Sequence, residues 1–209
     1  MDGYFWRKVM KPEKSIKIAV FASGSGTNAE AIIRHFRHHP KIEVALVVTN
    51  KPDAGVIHRA ERLNVEWMYL PAQDFNDSEL VLSVLEEFDI SYIVLAGWLL
   101  LVPPYLVHAY EGKILNIHPA LLPKFGGKGM YGKHVHRAVK RAGETESGIT
   151  IHLVNEEFDK GEILAQFKTR LDEWDDENEI ERKVRELEIK HYPPAIEKYI
   201  LGRVAEQRV

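Results

Sequence analysis

Short apolar, β-branched runs alternate with segments of helical periodicity along most of the chain. The first apolar run covers residues 16–23 and ends in a glycine-containing loop. In the following residues 28–38, Ile32, Ile33 and Phe36 recur at the spacing that places apolar side chains on one side of a helix. The beginning of the fold is therefore predicted to run in the order strand, glycine loop, helix.

The same alternation continues through the middle of the chain. Further buried strands are predicted at residues 42–50, 65–70, 91–97 and 113–118. Further helices are predicted at residues 55–64, 80–88 and 102–110. Ser78 is expected to cap the helix that follows it. Elements alternating in this way predict βαβ units, and hence a parallel sheet with helices on both faces.

The rhythm changes after about residue 145. Two apolar runs, residues 147–154 and 162–170, flank an acidic, turn-like segment, which predicts two strands in a hairpin-like pair. Residues 175–201 then read as one long amphipathic helix. The fold class is therefore α/β, with a doubly wound, mostly parallel sheet. We expect a single domain over residues 16–209, after a flexible lead-in at residues 1–15.

Composition narrows the possible functions. The 28 basic and 31 acidic residues give a formal net charge of −3, which disfavours binding to nucleic acid by bulk electrostatics. The chain has no cysteine, which excludes disulfides and a cysteine nucleophile and fits a reducing, cytoplasmic setting. Residues 90–107 carry no charge, but they contain two prolines and begin as a buried strand, so we expect no membrane span.

The loop at residues 23–28, SGSGTN, is the first candidate for chemistry. A glycine loop between a strand and a helix presents backbone N–H groups beside the helix N-terminus, which favours phosphate. Gly24, Gly26 and Ala29 also fit the dinucleotide pattern, but the second strand ends at Asn50 without the acid that binds a ribose. A mononucleotide or sugar phosphate is therefore the predicted ligand, and a tight turn without a ligand is the alternative.

Asn116 and His118 are the second candidate, at the end of a predicted strand. Residues two apart on a strand point to the same face, and ligands bind at the carboxyl ends of parallel strands. An amide and an imidazole placed together can polarise a carbonyl and stabilise an oxyanion. The alternative is a structural histidine.

Asp159, in the loop between the last two predicted strands, is the third candidate. Asp-x-Gly is a turn signature, so the residue acquires a chemical role only if the fold brings it to His118. There its carboxylate would raise the pKa of the imidazole. His134 and His136 are placed in a glycine-rich loop next to a helix start, with no metal-site spacing, and together with His118 and His152 they do not predict a metal site.

The motifs taken together resemble one enzyme family. IAVFASGSGTNAEAI, ILNIHPALLPKF, SGITIHLVNEEFDKGEILAQ and KVRELEIKHYPPAI are similar to segments of the folate-dependent formyltransferases, and within them of the phosphoribosylglycinamide formyltransferases of purine synthesis. NIHPALLPKF followed by the aspartate loop is typical of transferases that use formyltetrahydrofolate, and SGSGTN favours those acting on a ribonucleotide. The resemblance implies a Rossmann-like formyltransferase fold.

The resemblance also implies an activity, the transfer of a formyl group from 10-formyltetrahydrofolate to the amino group of glycinamide ribonucleotide. Formyltetrahydrofolate hydrolysis and a catalytically idle nucleotide-binding module are the alternatives. The formylated folate would be a co-substrate, with no metal. The expected partners are small-molecule substrates, not nucleic acid or membrane, and the expected assembly is a monomer or a weak homodimer.

Site roles follow from the resemblance residue by residue. The catalytic trio would be Asn116, His118 and Asp159. The ribonucleotide phosphate would be bound by Gly26, Thr27 and Asn28, and its glycinamide end by Glu188. The pterin would lie against Leu99, Leu100, Leu101, Val102 and Asn116.

This division of roles assigns phosphate binding to residues 16–115, and catalysis and folate binding to residues 116–209. Two features depart from the common pattern of the family. Many relatives place Met-Arg where this chain has Leu99-Leu100, and residues 126–133 form a longer glycine-rich segment than usual.

Overall fold

The computed structural model describes residues 15–206. The lead-in predicted for residues 1–15 lies outside the described residues except for Ser15. The strands are β1 (Ile16–Phe21), β2 (Ile42–Thr49), β3 (Trp67–Tyr69), β4 (Ile90–Leu95), β5 (Ile114–His118), β6 (Glu146–Leu153) and β7 (Ile163–Arg170). The helices are α1 (Thr27–Phe36), α2 (Gly55–Leu63), α3 (Ser78–Glu87), α4 (Pro104–Ala109), α5 (Lys133–Arg141) and α6 (Glu177–Glu206), with a 3₁₀ turn at Asp74–Asn76.

All seven strands form one sheet in the order β3-β2-β1-β4-β5-β6-β7. The pairs from β3 to β5 are parallel, whereas β6 runs antiparallel to both β5 and β7. The order reverses at β1, from which the chain first builds outward through β2 and β3 and then returns to add β4 on the other side. The prediction of a doubly wound, mostly parallel sheet with a C-terminal hairpin-like pair and a long helix is confirmed.

Alternate residues of the strands pack into two apolar layers. Ile18 and Val20 of β1 belong to the layer beneath α1, α2 and α6, whereas Ala19 and Phe21 belong to the layer beneath α3 and α4. Such alternation follows from the two-residue period of a strand whose two faces are both covered. The helices therefore lie on both faces of the sheet, and the carboxyl ends of the parallel strands remain open.

Three local features differ from the sequence-based picture or sharpen it. Asp77, and not Ser78, caps α3, because its side chain accepts a hydrogen bond from the backbone N–H of Leu80. His134 and His136 lie in α5, so placing them in a glycine-rich loop was wrong. The uncharged stretch at residues 90–107 is divided between β4 and α4, and within residues 15–206 no helix is long and apolar enough to cross a membrane.

Helix α6 is anchored to the sheet by Tyr192. Its side chain is fully buried, and its hydroxyl donates to the carbonyls of Leu95, at the end of β4, and Leu115, in β5, at 3.0 and 3.2 Å. Burial raises the pKa of Tyr192 well above its usual value, so the hydroxyl remains a donor. Glu188 lies one helical turn before this anchor, beside the open edge of the sheet.

Candidate active site

A cavity of about 670 Å³ lies over the carboxyl ends of β1, β4 and β5. All of the site residues proposed from the sequence line this one cavity. They are Gly26, Thr27, Asn28, Leu99, Leu100, Leu101, Val102, Asn116, His118, Asp159 and Glu188. The fold therefore places side chains from distant parts of the sequence within reach of a common ligand.

The glycine loop forms one end of the cavity. Gly26 adopts a left-handed conformation with φ 78°, and a Cβ there would lie 2.7 Å from Val56 of α2. Only glycine fits this position without strain, since both the backbone angle and the close approach exclude a side chain. Gly26 is the N-cap residue of α1, and since glycine has no side chain, no cap side chain accepts a hydrogen bond from the first N–H groups of the helix. The uncapped helix N-terminus suits an anion.

Asn28 and Glu188 meet beside the glycine loop. Asn28 Nδ2 donates to Glu188 Oε2 at 3.0 Å, whereas Asn28 Oδ1 is buried without a hydrogen-bond partner among the described residues. Burial raises the pKa of Glu188, and the hydrogen bond from Asn28 opposes that rise only in part. Two oxygen acceptors thus lie together, and a ligand that carries N–H or O–H donors would satisfy both.

Asn116 is oriented by His152, its partner on the adjacent strand β6. The Nδ1–H of His152 donates to the carbonyl of Leu153 at 2.7 Å, which leaves Nε2 as an acceptor. Asn116 Nδ2 lies 3.1 Å from that Nε2 and donates to it. An amide carries two N–H groups, so the second of Asn116 is available to an oxygen in the cavity.

His118 lies two residues further along β5 and is buried. Its Nε2–H donates to the carbonyl of Phe125 at 2.8 Å, and its Nδ1 lies 3.5 Å from Asp159 Oδ2. The other carboxylate oxygen of Asp159 lies 3.6 Å from His152 Nε2, and the backbone N–H of Gly127 donates to Oδ2 at 2.9 Å. Asp159 therefore lies between two imidazoles, and the fold brings it to His118.

Burial outweighs charge at His118. Burial lowers the pKa of His118. The Asp159 carboxylate and the Phe125 carbonyl both raise this pKa, but they do not fully offset the effect of burial. The expectation that Asp159 would raise this pKa above its usual value is therefore wrong in its net direction, because only 3% of His118 is exposed. Burial alone would raise the pKa of Asp159, but the surrounding groups, including the Gly127 N–H that donates to Oδ2, lower it, so the carboxylate is ionised.

The connection after β5 is held by β6. Thr150 is buried, and its hydroxyl donates to the carbonyl of Ala120 at 2.7 Å and accepts from the N–H of Leu122 at 3.0 Å. Gln166 of β7 donates to the Leu122 carbonyl at 2.9 Å. These bonds fix the path of the chain from His118 to Phe125, whose carbonyl in turn orients the imidazole.

The other end of the cavity is apolar. Leu99 and Leu101 are 39% and 44% exposed, unusually open for leucine at a position that lines a cavity. The Leu99 N–H donates to the buried Ser23 hydroxyl at 3.1 Å, which ties this segment to the loop after β1. Val154 and Phe158 face the cavity from the β6–β7 connection. A flat apolar ligand would cover these side chains.

Two further histidines belong to the cavity. His152, considered from the sequence only for a metal site, holds Asn116, and His136 of α5 lines the cavity with a buried Nδ1 that has no hydrogen-bond partner in residues 15–206. Burial lowers the pKa of His136. Within the same range, no group of three or more His, Asp or Glu residues could hold a metal ion.

The sheet and the glycine loop define an α/β protein whose ligand cavity lies at the carboxyl ends of a doubly wound sheet. Residues 16–196 match the model of the formyl transferase family, and the chain belongs to that family.

The chain is similar to phosphoribosylglycinamide formyltransferases. It is 39% identical over 191 residues to the enzyme of that name from Bacillus subtilis, covering 89% of this chain and 95% of the relative. It is 41% identical over 200 residues to a chloroplastic enzyme of that name from Arabidopsis thaliana, covering 92% of this chain but 66% of the relative, just under two-thirds of its length.

Solved structures agree with the sequence comparisons. The phosphoribosylglycinamide formyltransferase of Bacillus halodurans superposes with a TM-score of 0.79 at 39% identity, over 87% of this chain and 94% of that one. Glycinamide ribonucleotide transformylase 1 of Symbiobacterium toebii gives a TM-score of 0.82 at 31% identity, over 90% and 89%. The fold and the family of the chain are thus established.

Proposed function

We propose that this chain is a phosphoribosylglycinamide formyltransferase of purine biosynthesis. It transfers the formyl group of 10-formyltetrahydrofolate to the amino group of glycinamide ribonucleotide, giving formylglycinamide ribonucleotide and tetrahydrofolate. The observation that carries the proposal is the shared cavity. A glycine loop suited to phosphate, two oxygen acceptors for an amine and the Asn116–His118–Asp159 group all line it. The names of its relatives support the same activity.

The ribonucleotide is assigned to the end formed by the glycine loop. Gly26, Thr27 and Asn28 bind its phosphate through the N-terminus of α1. Glu188 and the unpartnered Asn28 Oδ1 accept hydrogen bonds from the glycinamide end, which orients the amine towards Asn116 and His118.

The formylated folate is assigned to the apolar end. Leu99, Leu100, Leu101 and Val102 cover the pterin on one side, together with Asn116 at the reacting end. Neither leucine at positions 99 and 100 carries a charge, so this wall contributes apolar contact and no ion pair to the co-substrate.

Transfer proceeds by direct attack of the amine nitrogen on the formyl carbon. The second N–H of Asn116 donates to the oxyanion that develops on the formyl oxygen, and His118 stabilises that oxyanion by the positive charge that it acquires when it takes up a proton. The attacking nitrogen must lose one proton, and the leaving N10 of the folate must gain one. The His118–Asp159 pair accepts the first proton, directly or through a water, and returns it to N10. No protein nucleophile is required.

A lowered His118 pKa fits this role. In the free site the imidazole is neutral near neutral pH, so it can take up a proton instead of already carrying one. The charge that develops on the formyl oxygen raises the proton affinity of His118 during the reaction, and ionised Asp159 stabilises the imidazolium that forms.

The division of the chain forms part of the proposal. Residues 16–115 supply the phosphate site and the Leu99–Val102 wall of the folate site, and residues 116–209 supply the catalytic group, Glu188 and the remaining folate contacts. We propose that the enzyme acts in the cytoplasm on small-molecule substrates, as a monomer or a weak homodimer.

The test is a mixing experiment with purified protein, glycinamide ribonucleotide and 10-formyltetrahydrofolate, in which free tetrahydrofolate is followed by absorbance. Release that requires the ribonucleotide supports the transferase. Release at the same rate without it identifies a hydrolase. Binding of phosphate ligands without any release identifies an idle binding module.

A further inference from the structure

The glycine loop is held from behind by helix α2. We propose that Arg59 is a positioning residue for phosphate binding, which turns the carbonyl of Ser25 away from the cavity so that the loop presents N–H groups to the anion. The identity of the anion as a ribonucleotide phosphate rests on the proposed function, whereas the role of Arg59 in anion binding does not.

Two carbonyls of the loop, those of Gly24 and Ser25, are engaged by α2. Arg59 Nε donates to the Ser25 carbonyl at 2.7 Å. The backbone N–H of Val56 donates to the Gly24 carbonyl at 3.1 Å. Gly55 lies against Ser25 so closely that a Cβ there would be 3.2 Å from the Ser25 carbonyl oxygen. The backbone of the loop is therefore pinned on the side that faces α2.

The direction of these carbonyls decides what the loop can bind. A carbonyl oxygen repels a phosphate, whereas successive backbone N–H groups form a concave anion site. A loop rich in glycine can reorient its peptide planes at little cost, since glycine occupies both halves of φ space. A charged donor on the Ser25 carbonyl opposes that reorientation, because it leaves only one orientation of the peptide fully hydrogen-bonded.

Arg59 is itself held in place by Glu30. Glu30 of α1 accepts from Arg59, and it also pairs with Arg34 and Arg62, each at 2.8 Å. Burial works against ionisation of Glu30, but these arginines lower its pKa, so the carboxylate remains charged. Arg59 thus joins the glycine loop and α1 to α2.

Arg59 does not line the cavity formed by the described residues. It contacts the loop through the Ser25 carbonyl, so we expect a bound phosphate to meet the loop and not the guanidinium. Its contribution is therefore distinct from that of Gly26, Thr27 and Asn28, and no sequence motif used above identifies it.

The experiment compares Arg59→Met with Arg62→Met. Both variants remove one guanidinium from Glu30, but only the first frees the Ser25 carbonyl. For Arg59→Met we expect the KM for glycinamide ribonucleotide and the inhibition constant for inorganic phosphate to rise together by about tenfold. The KM for the folate and the turnover at saturating ribonucleotide should stay within about twofold of wild type. Arg62→Met should leave all four values near wild type.

A binding measurement separates this inference from the proposed function. Titration of inorganic phosphate, followed by the NMR shifts of the Gly24–Thr27 amides, needs no turnover. If wild type does not formylate the ribonucleotide, the proposed function fails while the phosphate titration still tests Arg59. Phosphate affinity in Arg59→Met equal to that in wild type would overturn the inference. If Arg59→Met is not recovered folded, Arg59→Lys decides in the same way: weakened phosphate binding supports the role and unchanged binding refutes it.

Discussion

Asp159 lies between two buried imidazoles, 3.5 Å from Nδ1 of His118 and 3.6 Å from Nε2 of His152. One imidazole orients Asn116, and the other is proposed to carry the proton of the reaction. A single carboxylate from the β6–β7 connection thus acts on both members of the Asn-x-His pair. Its ionised state is favoured by its surroundings, which include the N–H of Gly127, although burial alone would disfavour it.

Replacing His118 tests the oxyanion role directly. His118→Ala removes an imidazole that lines the cavity, and loss of one such donor typically costs about 10²–10³-fold in turnover. Both KM values should change little, because the phosphate and the pterin are assigned to Gly26–Asn28 and Leu99–Val102 and not to His118. Steady-state kinetics in both substrates measure this. His108→Ala, at an exposed histidine outside the cavity lining, is the matched control and should keep wild-type turnover; similar turnover in the two variants would exclude His118 from the mechanism.

Asp159→Asn keeps the shape of the carboxylate and removes its charge. We expect a large loss of turnover with binding of both substrates retained. Because Asp159 is one of the two groups that raise the His118 pKa against the effect of burial, that pKa should fall further in the variant. NMR titration of the His118 ring resonances measures the change. A His118 titration identical to that of the parent would limit Asp159 to shaping the turn or binding water.

The folding stability should depend on pH through His118. Burial lowers its folded-state pKa below the ordinary value of about 6.5, so as the pH falls through that value the unfolded chain takes up this proton first. The contribution of His118 is therefore fully present above about pH 6.5 and is lost as the pH falls towards the lower folded-state pKa. Urea unfolding at pH 7 and at lower pH should show a smaller loss of stability in His118→Gln than in wild type. Equal losses would mean that other groups account for the pH dependence.

Gly24 offers a cleaner test of the phosphate site than Gly26. A Cβ at Gly26 would collide with Val56, so substitution there disturbs the fold as well as the ligand. A Cβ at Gly24 meets nothing within 4 Å, and the residue lines the cavity. Gly24→Val should raise the KM for the ribonucleotide by about tenfold, which corresponds to about 1.4 kcal/mol of lost binding free energy. The KM for the folate should change little. A rise confined to the folate KM would show that the two ligands have been assigned to the wrong ends of the cavity.

The sequence predicts most of the fold because its strands and helices are strongly periodic. The beginning of helix α5 was misplaced since its buried residues are few: Val135, His136 and Val139 follow a glycine-rich segment in a stretch that is otherwise basic. The four-residue spacing of the two valines was the available signal. Arg59 carries no comparable signal, because its contact with Ser25 depends on how α2 packs behind the loop.

The residues proposed for the site from the sequence all line one cavity, but the direction of the His118 pKa shift was not predicted. The same-face placement of Asn116 and His118 follows from strand geometry alone. The sequence does not contain the depth of burial of His118, which results from the packing of α5, the β5–α5 connection and the β6–β7 connection around it. That depth reverses the net direction of its pKa shift, so the error arose from tertiary structure and not from the motif.

Tyr192 ties the position of helix α6 to strands β4 and β5. Its hydroxyl bridges the carbonyls of Leu95 and Leu115, and the residue that follows Leu115 is Asn116. Glu188, one turn away on the same helix, is thereby held at a fixed distance from the catalytic edge of the sheet. In the proposed reaction, the distance between the amine and the formyl carbon would thus depend on how α6 packs against these two strands. A substitution buried beneath α6, far from either ligand, would then change the distance between Glu188 and the catalytic group. It would slow the reaction without weakening the binding of either substrate.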